Sequence, residues 1–320
     1  MISAVIKFVD KKIFIHSEQV EKVDKIFLKG VYDCTTDDRG QVHIQEEEVP
    51  EVHEPFKNKE NNLIISTFDK FFQEGVREKT HSLDYIHKLG ILLYGKPGVA
   101  KTSLMNFLAK RAIINDEAIV FICNSSNQLS TAIGLSKQIR EIQNNPIIFI
   151  ADEFERYAQN IESSIKNFLD GVDSVDNMVF LAATNYIEQV PKTLSERPSR
   201  FKIVQEIPGI TDLEEVKVIL SFISEKIQPN LFTEEEIDQI SNRIINEEKE
   251  TTLDSLKHVC LDKITGITIH NSKKSIGFFN KEEEKEEEIN WWDSLVETQS
   301  KNTWTLTRNS TEKINKDSNI

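Results

Sequence analysis

The chain has 320 residues, 38% of them hydrophobic, and sets 39 Lys and Arg against 53 Asp and Glu for a formal net charge of −14. That length accommodates about two domains of ~150 residues, each with its own core. The acidic balance excludes a general affinity for nucleic acid or an anionic membrane surface, because both depend on excess Lys and Arg. Cys34, Cys123 and Cys260 lie far apart without metal-ligand spacing, which fits a reducing compartment, the cytoplasm by default. No run approaches the ~20 apolar residues of a membrane span. Lys7, Asp10, Lys11 and Lys12 interrupt any signal-peptide pattern.

Residues 1–50 read as a small α/β module, with an apolar run at Ile2–Val9, a helix over Ser17–Phe27 and an alternating run at Val42–Ile44. Glu46 to Glu48, followed by Pro50 and Pro55, read as an edge strand or linker. From Ile64 the residues Phe68, Phe71, Phe72 and Val76 recur at helical spacing, with Thr67 as the expected cap. Then comes ILLYGKPGVAKTS, an apolar strand running into a glycine-bearing loop and on into a helix. Such a junction leaves backbone N–H groups aimed at one spot, which favours a phosphate. Gly95, Lys96, Pro97, Gly98, Val99, Ala100, Lys101, Thr102 and Ser103 are therefore the nucleotide-binding candidates. Lys101 would reach the β and γ phosphates and Thr102 would hold Mg²⁺. Ala100 stands where the pattern GxxxxGK[S/T] has glycine, at an expected cost of about 1–2 kcal/mol if the backbone there is left-handed.

Ala118–Cys123 is a second apolar strand and Leu129–Ile142 a helix. IIFIADEFE then places Asp152 and Glu153 at the carboxyl end of a strand buried on both faces, where open parallel sheets bind ligands. Asp152 is positioned to hold Mg²⁺ through water, and Glu153 to polarise the water that attacks the γ-phosphate. After a helix carrying Ile161, Ile165, Phe168 and Leu169, the strand MVFLAATN ends on Thr184 and Asn185, whose neutral amide could contact the γ-phosphate or the water. LSERPSRF follows, with Arg197 and Arg200 three residues apart. A guanidinium fork of this kind suits the spread charge of a phosphoryl-transfer transition state.

The succession GKPGVAKT, IIFIADE, SSIKNFLDGVDS, AATN and RPSRF, spread over about 140 residues, resembles the AAA+ ATPases and within them the classical AAA branch. STFDKFF, CNSSNQLS and NFLDGVDS look most like the Bcs1-type AAA proteins. The resemblance implies a P-loop NTPase fold, an α/β parallel sheet with helices on both faces, followed by a small helical lid. It also implies ATP hydrolysis with Mg²⁺ at the subunit interfaces of a homo-oligomeric ring, read as a hexamer, and remodelling of a protein or protein complex. In it Lys101 and Thr102 act as Walker A, Asp152 and Glu153 as Walker B, Asn185 as sensor 1, and Arg197 and Arg200 as arginine fingers. The core then covers residues 51–206 and the lid 207–269, where Thr211 with Glu214 and Thr233 with Glu236 have capping-box spacing and a third helix starts near Thr252. Lys257 is weighed as a second sensor against a plain solvated helix lysine.

Two departures narrow the expectation. Asn124 to Ser130 holds no aromatic residue, so threading by aromatic paddles is not expected, and no run matches the membrane segment of mitochondrial Bcs1 proteins. Residues 270–320 form an acidic tail containing KEEEKEEE and then Trp291, Trp292, Leu295 and Val296, a pattern that suits a docking peptide for a partner protein or a last helix folded back on the core. The richness in Lys, Asn and Ile suggests an AT-rich, viral source, and hence the host cytoplasm. Two rival functions are a clamp-loader-like replication ATPase and a nucleotide-switched scaffold with little turnover.

Overall fold

The computed structural model describes residues 5–9, 12–16, 27–50, 52, 54, 55, 58–171 and 173–266. The helix expected over Ser17–Phe27 and the acidic tail thus fall, apart from Phe27, outside the described residues. Along the chain come β1 (Val5–Val9), β2 (Lys12–His16), β3 (Gly30–Thr36), β4 (Val42–Glu47), α1 (Lys59–Phe71), α2 (Val76–His81), β5 (Lys88–Tyr94), α3 (Lys101–Asp116), β6 (Ile119–Ile122), α4 (Ser126–Ile142), β7 (Ile147–Ala151), α5 (Glu162–Asp170), β8 (Met178–Thr184), α6 (Lys192–Ser195), β9 (Ile203–Glu206), α7 (Leu213–Ile227), α8 (Glu234–Glu248) and α9 (Leu253–Thr265).

The strands form one sheet in the order β1-β2-β4-β3-β6-β7-β8-β5-β9. From β3 to β9 neighbouring strands run parallel, whereas β4, β2 and β1 add on antiparallel. Alternation along the buried strands splits the core in two. Phe121, Phe149 and Phe180 face α4 and α5, and Val120, Ile148, Ile150, Val179 and Leu181 face α1 and α3. Helices therefore cover both faces, as parallel strands buried on each side require. Rings run in contact across the first face from Phe121 to Phe149, Phe180 and Phe201, tilted, stacked and edge-on in turn, with centroids 5.9, 6.1 and 5.8 Å apart.

The residues before 50 do not stand apart from the core. β3 pairs with β6, and Phe27, Tyr32, Cys34 and Ile44 are buried in the same cluster as Phe121 and Phe149. Polar contacts bind the same join. The Asn127 side chain accepts from Thr36 N and donates to Thr36 O, both at 2.8 Å, and Gln128 Nε2 donates to Asp33 Oδ1 at 2.7 Å. β3 was missed because Asp33 interrupts its apolar run.

Two helix starts also differ from expectation. Thr67 lies inside α1, donating to Leu63 O at 2.8 Å, and the cap is Asn58, whose side chain accepts from Asn61 N. Asp212, one residue past Thr211, caps α7 by accepting from Glu215 N at 2.9 Å. The capping box of Thr233 and Glu236 forms in full, and Thr252 caps α9. After Ile207 come the helices α7, α8 and α9, with α7 packed on both of the others. Among the described residues no helix is long and apolar enough to cross a membrane.

Candidate functional site

The order of the strands assembles the site. β8 lies between β5 and β7, so the turn after β8 stands between the loop that ends β5 and the carboxylates that end β7. A cavity of about 290 Å³ opens at this end of the sheet, lined by Pro97, Gly98, Ala100, Lys101, Thr102, Ser103, Asp152, Glu153, Asn185, Leu253, Asp254 and Lys257. Seven of the residues expected to bind nucleotide and two expected to act in catalysis therefore meet in one place. Gly95, Lys96 and Val99 do not line it.

Ala100 holds φ 69° and ψ 27°, the left-handed conformation, and α3 begins at the next residue with no side-chain cap and no acidic residue in its first turn. The first N–H groups of α3 are thus left for a ligand, and the helix dipole favours an anion there. Gly98, with φ 84°, lets the loop pass under α9: a Cβ on it would meet Asp254 Cβ at 2.9 Å and Thr252 Oγ1 at 3.0 Å.

Lys101 is 6% exposed and its ammonium donates to Gly95 O at 2.8 Å, Lys96 O at 2.9 Å and Asn185 Oδ1 at 2.8 Å. Burial lowers its pKa, against the opposing pull of Asp152 and Glu155. The ammonium is thus held on neutral oxygens, which a polyphosphate would outbid by charge. Thr102 Oγ1 donates to Asp152 Oδ2 at 2.6 Å, and Asp152 Oδ1 accepts from Glu153 N at 2.9 Å. A hydroxyl beside a carboxylate is a hard-oxygen set that suits Mg²⁺, with phosphate and water completing its shell. Among the described residues no cluster of three or more His, Cys, Asp or Glu could hold a metal unaided.

Glu153 lies at φ 46°, a left-handed position that is costly for a side chain of this size, and its carboxylate pairs with Arg156 at 2.6 Å across the 3₁₀ turn Phe154–Arg156. Asn185 N donates to Glu155 Oε1 at 3.4 Å, while Glu155 Oε2 is buried without a hydrogen-bond partner. Arg156 and Glu155 escaped the sequence reading, although both sit within three residues of Glu153.

The arginine pair lies elsewhere. Neither Arg197 nor Arg200 lines the cavity. Asp170, at the end of α5, gathers them: Arg197 approaches at 3.3 Å, Arg200 at 3.8 Å and the Ser199 hydroxyl at 2.9 Å. Arg197 is 61% exposed in its side chain, Arg200 only 9%, and Arg200 also donates to Thr193 O. The Arg200 carbonyl rests on Gly90 of β5, where a Cβ would meet it at 2.0 Å. Arg200 is thus built into the fold, and Arg197, though paired with Asp170, is the more exposed of the two.

A second cavity, of about 530 Å³, adjoins the first through Ala100, Ser103, Leu253 and Lys257. Val99, Ile207, Ile210, Ile219 and Ile223 give it an apolar wall drawn from the loop before α3, the chain after β9 and α7. Lys257 is exposed and borders both cavities.

Comparison with known proteins points the same way. The family described as "ATPase family associated with various cellular activities (AAA)" matches residues 91–209. The chain is 27% identical over 229 residues to the 26S proteasome regulatory subunit 6B homolog of Aspergillus niger, covering 65% of this chain and 48% of that protein. It is 27% identical over 194 residues to the vesicular-fusion protein SEC18 of Candida albicans, covering 51% and 24%. It is 24% identical over 270 residues to an "AAA ATPase forming ring-shaped complexes" of Bifidobacterium adolescentis, covering 75% and 47%. The chain spans about half the length of the first and third of these relatives and about a quarter of the second. Lys101, Thr102, Asp152, Glu153 and Asn185, which gather around one cavity, all lie within the stretch 91–209 that is similar to the AAA ATPase family.

Proposed function

We propose that the chain binds ATP with Mg²⁺, hydrolyses it at the interfaces of a homo-oligomeric ring, a hexamer, and uses the cycle to remodel a protein or protein complex. The observation that carries this reading is the convergence of Lys101, Thr102, Asp152, Glu153 and Asn185 on one cavity that continues into an apolar one. The apolar cavity suits a purine nucleoside and the smaller one its phosphates. Mg²⁺, held by Thr102 and Asp152 when bound, supplies charge neutralisation at the phosphates. Lys101 gives the charge that the chain's own loop contributes, Asn185 orients the γ-phosphate or the water, and Glu153 draws the proton from the water as it attacks. Arg197, exposed and away from its own cavity, acts on the nucleotide of the neighbouring subunit, with Asp170 and Arg200 fixing the segment that presents it.

The likeness to a proteasome regulatory subunit, a vesicular-fusion protein and a ring-forming ATPase supports work on proteins. The finer likeness to Bcs1-type proteins rests on STFDKFF, CNSSNQLS and NFLDGVDS alone. Asn124 to Ser130 lacks aromatics, and Asn127 is bound to β3, which supports remodelling without aromatic paddles. Trp291, Trp292, Leu295 and Val296 of the tail supply the contact with a partner, tested by co-purification with the whole chain and with one cut after Gly266. The site of action is the cytoplasm, that of the host if the source is viral.

The test is binding and turnover. A fluorescent ATP analogue binds the chain and fails to bind Lys101→Ala, and ATP turnover is the same with and without DNA. Turnover that requires DNA favours a clamp-loader-like ATPase. Binding without turnover favours a nucleotide-switched scaffold, the reading that the strained Ala100 supports.

A further inference from the structure

The segment between α8 and α9 is seated on the phosphate loop and on the core–lid connection together. Lys96, in the loop, donates to Glu250 Oε2, and Glu250 Oε1 accepts from Gly209 N at 3.0 Å. Next to it, Ile210 and Thr251 exchange both backbone hydrogen bonds, at 2.7 and 2.8 Å. Asp254 N then donates to Gly98 O at 3.3 Å. The phosphate loop carries two lysines with different fates. Lys101 is buried at the cavity, whereas Lys96 does not line the cavity and is taken up by the lid. Leu253, Asp254 and Lys257, which follow Glu250 within two turns of chain, do line it.

We propose that Lys96 and Glu250 form a latch between the phosphate loop and the lid, and that Glu250 is a positioning residue which sets the first turn of α9 against the phosphates. The nucleotide half of this proposal rests on the ATP-binding reading given above. The physical case is one of alternatives. Asp254 N to Gly98 O is a long bond, and the bridge at Ile210 fixes the segment to the connection, not to the loop. Lys96 and Glu250 make the charged tie from loop to lid, and Lys96 holds the Glu250 carboxyl below the usual carboxylate range. With it removed, the start of α9 is left with the connection and the single long bond from Asp254 N to Gly98 O, and Lys257 and Asp254 are held less firmly at their distance from Lys101.

Four variants of the full chain test this: Lys96→Ala, Glu250→Ala, the two together, and the exchange Lys96→Glu with Glu250→Lys. Hydrogen exchange without nucleotide follows the amides of residues 251–256, and a fluorescent ATP analogue reports affinity. Each single variant exchanges faster at Asp254, and the charge exchange restores protection. Each single variant weakens the analogue about two- to fivefold, the weight of one exposed ion pair. The double variant is no weaker than either single one, as coupled residues require. In Glu250→Ala the loss falls on KM and not on kcat, and Lys96→Arg regains the affinity that Lys96→Ala loses. Additive losses, or no recovery of protection on charge exchange, overturn the latch. Tighter analogue binding by Glu250→Ala also overturns it, since that makes Lys96 a phosphate ligand restrained by Glu250. If exchange responds as described in a chain that binds no ATP, the latch stands and the ATP reading falls. If exchange does not respond in a chain that does bind ATP, the latch falls and the ATP reading stands.

Discussion

Ala100 gives a direct measure of how much strain the phosphate loop holds. Its φ of 69° and ψ of 27° lie in the left-handed region, where the methyl group crowds the following carbonyl. That crowding costs an L-residue about 1–2 kcal/mol. Glycine removes it but brings back about 0.5–1 kcal/mol of backbone entropy lost on folding. Ala100→Gly should therefore stabilise the fold by up to about 1.5 kcal/mol, a rise in Tm of up to about 6 °C at the ~2–4 °C per kcal/mol of a unit this size. Ala100→Val, β-branched at the same φ, should lower Tm, because its second γ-carbon adds to the crowding. Differential scanning calorimetry without nucleotide reads both variants. A lower Tm for Ala100→Gly, or no loss for Ala100→Val, would show that this position is not strained and would remove the support Ala100 lends to a scaffold without turnover.

Three further outcomes follow from particular side chains. His87 is buried, stacked on Phe71 at 3.9 Å, with Nε2 3.0 Å from Phe71 O, and burial holds its pKa below the ordinary 6.5. The unfolded chain thus binds the proton first, so His87 contributes stability above pH 6.5 that is lost as pH falls through the folded value. Thermal unfolding should show a smaller loss on acidification for His87→Gln than for the parent; equal losses would place the acid sensitivity elsewhere. Mixing Lys101→Ala with Arg197→Ala chains, each nearly inactive alone since an arginine finger is worth about 10³–10⁵ in rate, should restore part of the ATPase. No recovery in rings proven mixed by pull-down would put Arg197 outside the neighbour's site. Arg200→Ala should lower Tm where Arg197→Ala does not, because only Arg200 is buried against Asp170 and Thr193; equal Tm values for the two would remove that distinction.

The sequence disclosed what short-range chemistry dictates. Phosphate binding needs particular residues within one turn of chain, so Lys101 and Thr102 were legible, as were Asp152 and Glu153 at the end of a doubly buried strand. Asn185 was legible only through the order of the motifs, since a turn asparagine alone carries little signal. What depends on distant pairing was not visible. β3 joins the sheet by matching Gly30 to Asp33 against Ile119 to Ile122, and Asp33 hides the strand because it is satisfied by Gln128 far along the chain. Lys96 meets Glu250 across 154 positions. Neighbouring cap candidates compete locally, so Asp212 displaced Thr211 by a single residue. The unequal exposure of Arg197 and Arg200 goes with the contacts of the Arg200 side chain to Thr193 O and Asp170, which spacing alone does not encode.

In the proposed function Glu153 is the carboxylate that turns bound ATP over. Glu153→Gln keeps the shape and hydrogen bonding of the side chain but removes the charge that draws the proton from water. In a single-turnover experiment with labelled ATP and Mg²⁺, the parent chain should convert its bound ATP to ADP, while Glu153→Gln should bind ATP equally well and hold it unhydrolysed. A Glu153→Gln chain that forms ADP at the parent rate would contradict the account.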